Sequence, residues 1–287
     1  MKKLGLFLVL FFYLIFIFLF PILIKDTIIN TCILFVTIVM PSILPMYLLG
    51  NLLLSTNIFS KLFYPILKKI LPFENKHACT IYLLSIIMGN PTTTILINQS
   101  LKNKIITPLQ AKKLMSITFF MNPLFIINVL PKEISLPIII GSLLSSVIIG
   151  IIIKQKSSYK SQNKIEETFW TTLDKAPSIL LNILMIMLLI SLIKTPFTTL
   201  NKPFLFNYLI DCLDISTGLI SISNYSLSTI YLLVLATVLI NTNGLCLFLQ
   251  TIRYASFIKT GELIKKRLIS TLISLITTLF TYFLFYC

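Results

Sequence analysis

Charge is what this chain lacks most. Of 287 residues only 11% are Asp, Glu, Lys or Arg, nine of them acidic, and there is one histidine. Soluble globular domains run at about 25% charged. With 56% hydrophobic residues and a mean hydropathy of +0.96, the chain reads instead as a polytopic membrane protein. The same scarcity excludes chemistry. His77 lies beside a basic loop, so no Ser/His/Asp set can form around it, and no carboxylate pair sits within an apolar stretch to act as acid and base. No P-loop is present. The chain is therefore not expected to be an enzyme. The five cysteines (32, 79, 212, 246, 287) have no C-x-x-C spacing, and four lie in apolar surroundings. They read as inert small hydrophobes, and no second ligand is spaced to make His77 a metal site. No cofactor and no metal are expected.

What is present is apolar length. Asp, Glu, Lys and Arg are absent from 4–24, 28–55, 78–98, 114–130, 134–153, 176–193, 228–252 and 268–287, and a spanning helix needs about 20 residues. Six to eight of these stretches are expected to cross or enter the bilayer. The net charge of +15 sits in short loops, at Lys61 to Lys76, Lys102 to Lys113, Lys154 to Lys164 and Arg253 to Arg267. That is the positive-inside pattern of a multi-pass protein of the cell membrane, not a nucleic-acid surface. The apolar run 4–24 is longer than a signal-peptide core and Phe18-Leu19-Phe20-Pro21 offers no small-residue cleavage site. It reads as a retained first helix with its N-terminus inside.

Two apolar stretches are interrupted by polar, helix-breaking clusters, Gly89-Asn90-Pro91-Thr92-Thr93-Thr94 and Asn241-Thr242-Asn243-Gly244. Lipid cannot satisfy the backbone groups such breaks release, so each must lie in protein or line a watery cavity. Half-helices meeting near the midplane are how many secondary transporters build a substrate site. Elsewhere, Met121-Asn122-Pro123 reads equally as a packing kink or a site. Pro41 and Pro45 read as a kink, with Ser42 positioned to bond the freed carbonyls. Asp214 either caps a following helix or reaches a cavity as a carboxylate. Residues 58–72 have an amphipathic pattern with Lys61, Lys68 and Lys69 opposite the apolar side, fitting an interfacial helix or a solvated basic loop. Phe197 to Leu213 is its candidate counterpart.

Pro41-Ser42-Ile43-Leu44 recurs from position 41 to 177, and Lys112-Lys113-Leu114-Met115-Ser116 resembles Lys266-Arg267-Leu268-Ile269-Ser270. With the two breaks in the same order, this predicts an internal repeat. The expected organisation is an N-terminal transmembrane helix (1–27), a first repeat (28–153), a basic cytoplasmic linker (154–167, its polar composition reaching Lys175) and a second repeat (168–287).

Pro41-Ser42-Ile43-Leu44-Pro45, the break at Gly89-Asn90-Pro91, Gln110-Ala111-Lys112-Lys113-Leu114, Asn122-Pro123-Leu124-Phe125-Ile126, Leu213-Asp214-Ile215-Ser216-Thr217-Gly218-Leu219 and Leu247-Phe248-Leu249-Gln250 together resemble the YlbJ-type sporulation integral membrane proteins. These belong to the nucleoside-recognition, or Gate-domain, class, related to concentrative nucleoside transporters and bacterial iron(II) permeases. The resemblance covers about 28–287. The family pattern of Gly-Tyr-Pro followed by Gly-Ala is replaced here by Gly89-Asn90-Pro91-Thr92-Thr93-Thr94, and Gly-Gly-Leu-Ser by Asn243-Gly244-Leu245-Cys246. The resemblance implies an all-α polytopic bundle with two Gate-type repeats, each containing a broken or re-entrant helix.

Two functions follow as expectations. One is a permease for a small polar, nucleoside-like solute with a role in sporulation. Its site would be drawn from Gly89, Asn90, Pro91, Thr92, Thr93, Thr94, Asn122, Asn241, Thr242, Asn243 and Gly244. The alternative is a non-transporting structural membrane protein needed for spore envelope or coat assembly. The expected partners are the lipid bilayer and, for the first function, the solute, with homo-oligomerisation left open and no nucleic acid. No Asp, Glu, Lys or Arg is expected inside the membrane, which would leave a facilitator, Na⁺ coupling through neutral oxygens, or no transport. Inverted repeats would place either 102–113 or 251–267 outside, against the positive-inside rule, unless a broken helix turns back to its own side.

Overall fold

The computed structural model describes residues 2–56, 58–71, 75–153, 169–198 and 203–286, and among these it is all helix, with no strand. In the first half, α1 (Lys2–Leu19) is followed by α2 (Pro21–Leu34). This helix runs through one π turn (Phe35–Val39) into α3 (Met40–Thr56). Then come α4 (Ile58–Ile70), α5 (Lys76–Met88), α6 (Thr92–Lys102), α7 (Pro108–Ile117), α8 (Pro123–Val129) and α9 (Lys132–Ile152). The second half holds α10 (Phe169–Thr198), α11 (Phe204–Asp211), α12 (Ile215–Ser223), α13 (Thr229–Thr242), α14 (Gly244–Tyr254) and α15 (Thr260–Tyr286). The apolar stretch 4–24 is not one helix, because a new helix starts at Pro21. Most of the linker lies outside the described residues, and its last part, 169–175, forms the first two turns of α10.

Among the described residues five helical segments are long and apolar enough to cross a membrane, namely Pro21–Leu54, Lys132–Ile152, Trp170–Phe197, Thr229–Tyr254 and Thr260–Tyr286. Their outer faces carry large apolar side chains at helical spacing: Leu181, Met185 and Leu189 on α10, and Leu268, Leu272, Ile276 and Phe280 on α15, all exposed. A soluble protein would bury such stripes, whereas here they are the surface that meets lipid. The faces on which α9 and α15 meet are rich in small and polar residues, whereas α10 buries Ile179, Ile183, Met187 and Ile190. Thr277 Oγ1 donates to Gly141 O at 2.7 Å, and Thr281 Oγ1 donates to Pro137 O at 3.1 Å. A Cβ on Gly141 would come within 2.6 Å of Thr278 Cα, so α9 and α15 touch backbone to backbone. Between helices in lipid, that close approach replaces the hydrophobic drive that water would supply.

The segments between the long helices turn back on themselves. Asn75 caps α5 by accepting from His77 N (2.9 Å), and its amide reaches the far end of the α6 leg, donating to Ile105 O at 2.8 Å. Helices α5 and α6 are therefore the two legs of a hairpin whose tip is Gly89-Asn90-Pro91. In the second half Phe204, at the start of α11, packs edge-on against Tyr225 beyond the end of α12, with ring centroids 5.2 Å apart. This makes α11 and α12 a second hairpin with its tip at residues 212–214. The chain instead crosses the molecule through α7, the unwound residues 118–122 and α8, and again through α13, Asn243 and α14. Helix α7 begins with a capping box, Thr107 Oγ1 accepting from Gln110 N and Gln110 Oε1 accepting from Thr107 N, and Pro108 is preset for its first turn.

The hairpins decide where the charges lie. Lys266 Nζ is 2.9 Å from Glu262, and it donates to Lys112 O at 3.4 Å, while Lys112 Nζ is 3.7 Å from the same carboxylate. The starts of α7 and α15 thus sit side by side, and both basic segments, 102–113 and 251–267, occupy one end of the molecule. Of the amphipathic stretches, 58–72 holds α4, whose Leu62, Ile66 and Ile70 are exposed along with Lys61, Lys68 and Lys69. Phe197 to Leu213 is divided among the end of α10, α11 and a segment, 199–202, outside the described residues.

Candidate functional site

Each hairpin tip is tied to the interruption of the neighbouring crossing helix. In the first half Asn90 N donates to Phe120 O at 2.9 Å, and Asn90 Nδ2 donates to Thr118 O at 3.1 Å. Gly89 stands at φ +65, ψ −178, a region essentially closed to side chains, and a Cβ there would lie 2.3 Å from Asn122 N. In the second half Leu245 N donates to Cys212 O at 3.0 Å, and Cys246 N donates to Leu213 O at 2.9 Å. Backbone groups that two helix breaks set free therefore satisfy one another, which is what an apolar surrounding demands.

Three of the four breaks, together with the helix that follows the fourth, border one central cavity of about 40 Å³. Asn90 and Pro91 come from the first tip, Asn122 from the first interruption, Asp214 and Ser216 from the second tip, and Cys246 and Gln250 from the first turns of α14. Ser42 of α3 and Ile183 and Met187 of α10 close the sides. The polar groups are held in place. Asn122 caps α8, its Oδ1 accepting from Leu124 N at 2.9 Å, while its Nδ2 donates to Ser42 O at 2.6 Å. Asp214 caps α12, accepting from Ser216 N at 3.2 Å and Thr217 N at 3.3 Å, and is fully buried. Both readings weighed for Asp214 apply together, cap and cavity carboxylate. Asn122 is likewise both a helix break and a cavity group. Just before Pro41 the helix widens into a π turn, which ends where Met40 N donates to Phe35 O, and Ser42 Oγ donates to Ile38 O at 2.7 Å.

The remaining residues expected at the site are elsewhere. Thr92, Thr93 and Thr94 are fully buried and occupied by the first break itself. Thr92 and Thr93 donate to Gly89 O (2.7 and 2.9 Å), and Thr94 donates to Asn90 Oδ1 (3.0 Å). Asn241 and Thr242 donate one turn back along α13, to Thr237 O at 2.9 Å and Val238 O at 2.8 Å. Gly244 backs onto Cys212 O. Asn243, left-handed at φ +69 and fully buried, turns away from the cavity. Its Nδ2 donates to Ile240 O at 3.0 Å, and its Oδ1 accepts from both terminal nitrogens of Arg267 at 2.7 and 3.0 Å.

The expectation that the membrane interior holds no Asp, Glu, Lys or Arg is wrong. Arg267, within the span Thr260–Tyr286, is buried with its guanidinium 3.7 Å from the centre of the Phe119 ring, and its Nε has no partner. Lys194, within Trp170–Phe197, is ion-paired with buried Asp211 at 3.0 Å, and Tyr225 OH donates to the same carboxylate at 2.6 Å. The reason is that an uncharged run marks only part of a helix. α15 begins eight residues ahead of the run 268–287, so the residue that looks like the end of a basic loop is already two turns inside. The buried face of α15 carries Leu263, Arg267, Ser270, Ser274 and Thr278 at helical spacing, a pattern from which the burial of Arg267 could have been read. Ser216, Gln250 and Lys194 had no comparable signal.

No family model, no curated protein and no solved structure matches the chain. Among the described residues no group of three His, Cys, Asp or Glu side chains is placed to hold a metal ion.

Proposed function

We propose that the protein is a permease-like membrane protein whose central cavity admits a small polar solute. The observation that carries this reading is the convergence of three helix interruptions from both halves, and of the start of α14 beyond the fourth, on one cavity lined by Asn90, Asn122, Asp214, Ser216 and Gln250. Unwound backbone and fixed amides at the depth of a membrane are costly unless they line a working site. In this reading the α5/α6 and α11/α12 hairpins are re-entrant from opposite faces of the bilayer. The two halves are then inverted repeats in which the first tip corresponds to 212–214 and the interruption 118–122 to Asn243. That register follows chain order, a long helix, a hairpin, an interrupted helix and a long helix in each half. It differs from the sequence alignment of 89–91 with 241–244. It also puts both basic segments on the cytoplasmic face, in keeping with the positive-inside rule.

The kinship with YlbJ-type, Gate-domain proteins, and with it a role in sporulation and a nucleoside-like solute, rests on the sequence motifs. A cavity of about 40 Å³ holds a water or two, whereas drug-sized ligands occupy about 300 Å³ or more. A nucleoside therefore requires the tips to part. The same small volume favours a second reading, a non-transporting membrane protein of spore envelope or coat assembly built on a transporter-like frame. Reconstitution into liposomes separates the two. The permease reading expects flux of a small polar solute that Asn90→Ala, Asn122→Ala and Ser216→Ala each abolish without loss of folded protein. Liposomes that move none of a broad panel of nucleosides, sugars and amino acids favour the second reading.

A further inference from the structure

A second, larger cavity of about 280 Å³ opens on the side of the bundle between α2, α10 and α12, lined by Thr27, Asn30, Thr31, Ser191, Lys194 and Thr217 among others. Seven of its eight lining residues carry a polar group, and it has room for several waters. Thr217 joins it to the central cavity. Its Oγ1 accepts from Lys194 Nζ at 3.1 Å and donates to Asp214 Oδ2 at 3.0 Å. Lys194 and Thr217 face the side groove, and Asp214 faces the centre. A donor, a hydroxyl and an acceptor thus form one unbroken chain between the two cavities.

The charges in this cluster do not balance. Lys194 contributes one positive charge, and Asp211 and Asp214 contribute two negative ones, all three largely out of contact with water. One negative charge is left over in a place where an isolated charge is expensive. Every other group that faces the cluster is neutral: Tyr225, which donates to Asp211, Cys212 at the tip, and Cys246 on α14. Helices α8 and α13 bring no charged side chain, and Lys25 and Asp26 of α2 are exposed.

We propose that Asp214 is a proton-binding site of the central cavity, loaded from the side groove through Lys194 and Thr217. Lys194 Nζ gives a proton to Thr217 Oγ1 as the Thr217 hydroxyl proton passes to Asp214 Oδ2, and the Lys194 ammonium is restored by a proton from a hydronium ion in the groove, which leaves as water. One proton enters at the groove and one arrives on Asp214, and the cluster goes from one net negative charge to none. The Asp214 cap survives, since its second oxygen still accepts from Ser216 N. The proposal concerns where a proton resides and holds whether or not the cavity carries a solute.

The test is infrared difference spectroscopy on the full chain in lipid, comparing acidic with basic buffer in the absence of any solute. A carbonyl stretch of a protonated carboxyl is expected in the wild type and is lost in Asp214→Asn, which keeps a capping oxygen. In Thr217→Val, exchange of that proton for deuterium slows about tenfold, the factor that one lost hydrogen bond of the chain supplies, and Thr217→Ser restores the rate. The proposal is overturned if the spectrum does not change with pH, if the band survives in Asp214→Asn, or if Thr217→Val exchanges as fast as the wild type.

Discussion

The two hairpin tips are built alike in backbone and unlike in chemistry. At the first, Gly89-Asn90-Pro91 meets 118–122 through neutral groups only: Thr92 and Thr93 donate to Gly89 O, the Asn90 amide donates to Thr118 O, and Thr94 donates to the Asn90 side-chain oxygen. At the second, residues 212–214 meet the start of α14 with two backbone bonds, and the surroundings are charged: Asp214 in the cavity and Lys194 paired with Asp211, while Arg267 is shared between the two interruptions, on Asn243 and over the Phe119 ring. A tip whose polar groups are all internally matched is a rigid part. A tip tied by the same number of bonds but ringed by titratable groups is one whose stability depends on the charge those groups carry. The first tip is thus the fixed wall of the cavity and the second the responsive one.

The comparison breaks most sharply at glycine. Gly89→Ala forces a Cβ to within 2.3 Å of Asn122 N at a backbone conformation that excludes it, at a cost of about 3–4 kcal/mol. Gly244→Ala, at φ +52 with its nearest atom Cys212 O at 3.0 Å, costs about 1–2 kcal/mol. Unfolding in mixed micelles ranks the two, and a larger loss for Gly244→Ala would reverse the assignment of rigid and responsive tips. Next comes the ion pair. Asp211→Asn removes the direct partner of Lys194, leaving it Asp214 through Thr217, and costs about 1–3 kcal/mol. A cycle with Lys194→Met recovers part of that loss. Full additivity in the cycle would show that the pair does not hold the second tip.

Asn122→Ala removes both the α8 cap and the bond to Ser42 O, for about 1–2 kcal/mol. Thr93→Val is the smallest change, under about 1 kcal/mol, because Thr92 still donates to Gly89 O. Should Thr93→Val equal Asn122→Ala in melting temperature, the first tip would not be redundantly bonded.

How much of this was legible in the sequence differs between the tips for a physical reason. Gly89-Asn90-Pro91 announces itself because a glycine and a proline must break a helix, and Asn243-Gly244 does so nearly as well. Their partners are hidden. Residues 118–121, Thr-Phe-Phe-Met, are apolar and unwind only because the hairpin tip supplies Asn90 N and Nδ2 to their carbonyls. The sequence shows only the Asn122-Pro123 that follows. At 212–214 the acid was legible as a cap or as a cavity carboxylate, and it is both. The threonines after Gly89 looked like ligands because hydroxyls in an apolar run suggest a site, yet local carbonyls claim them first. The all-helical class and most spanning segments depend on composition and were readable. Five segments among the described residues are long and apolar enough to cross, however, where six to eight stretches were expected to cross or enter, and 4–24 is broken at Pro21. The pairing of tips, the buried Arg267 and the Lys194–Asp211 pair depend on contacts far apart in the chain and were not.

The central claim is that two hairpins enter from opposite faces and meet at one cavity. Single cysteines at Lys104, Lys259 and Ser226, all exposed, in a background lacking the native cysteines, test it directly with an impermeant thiol reagent on sealed vesicles of known orientation. The account predicts that Lys104→Cys and Lys259→Cys label from the cytoplasmic face alone, and Ser226→Cys from the opposite face alone. Labelling of Lys104→Cys and Lys259→Cys from different faces would contradict it, because α5 and α6 would then cross the membrane as one broken span and the first tip would not be the end of a hairpin.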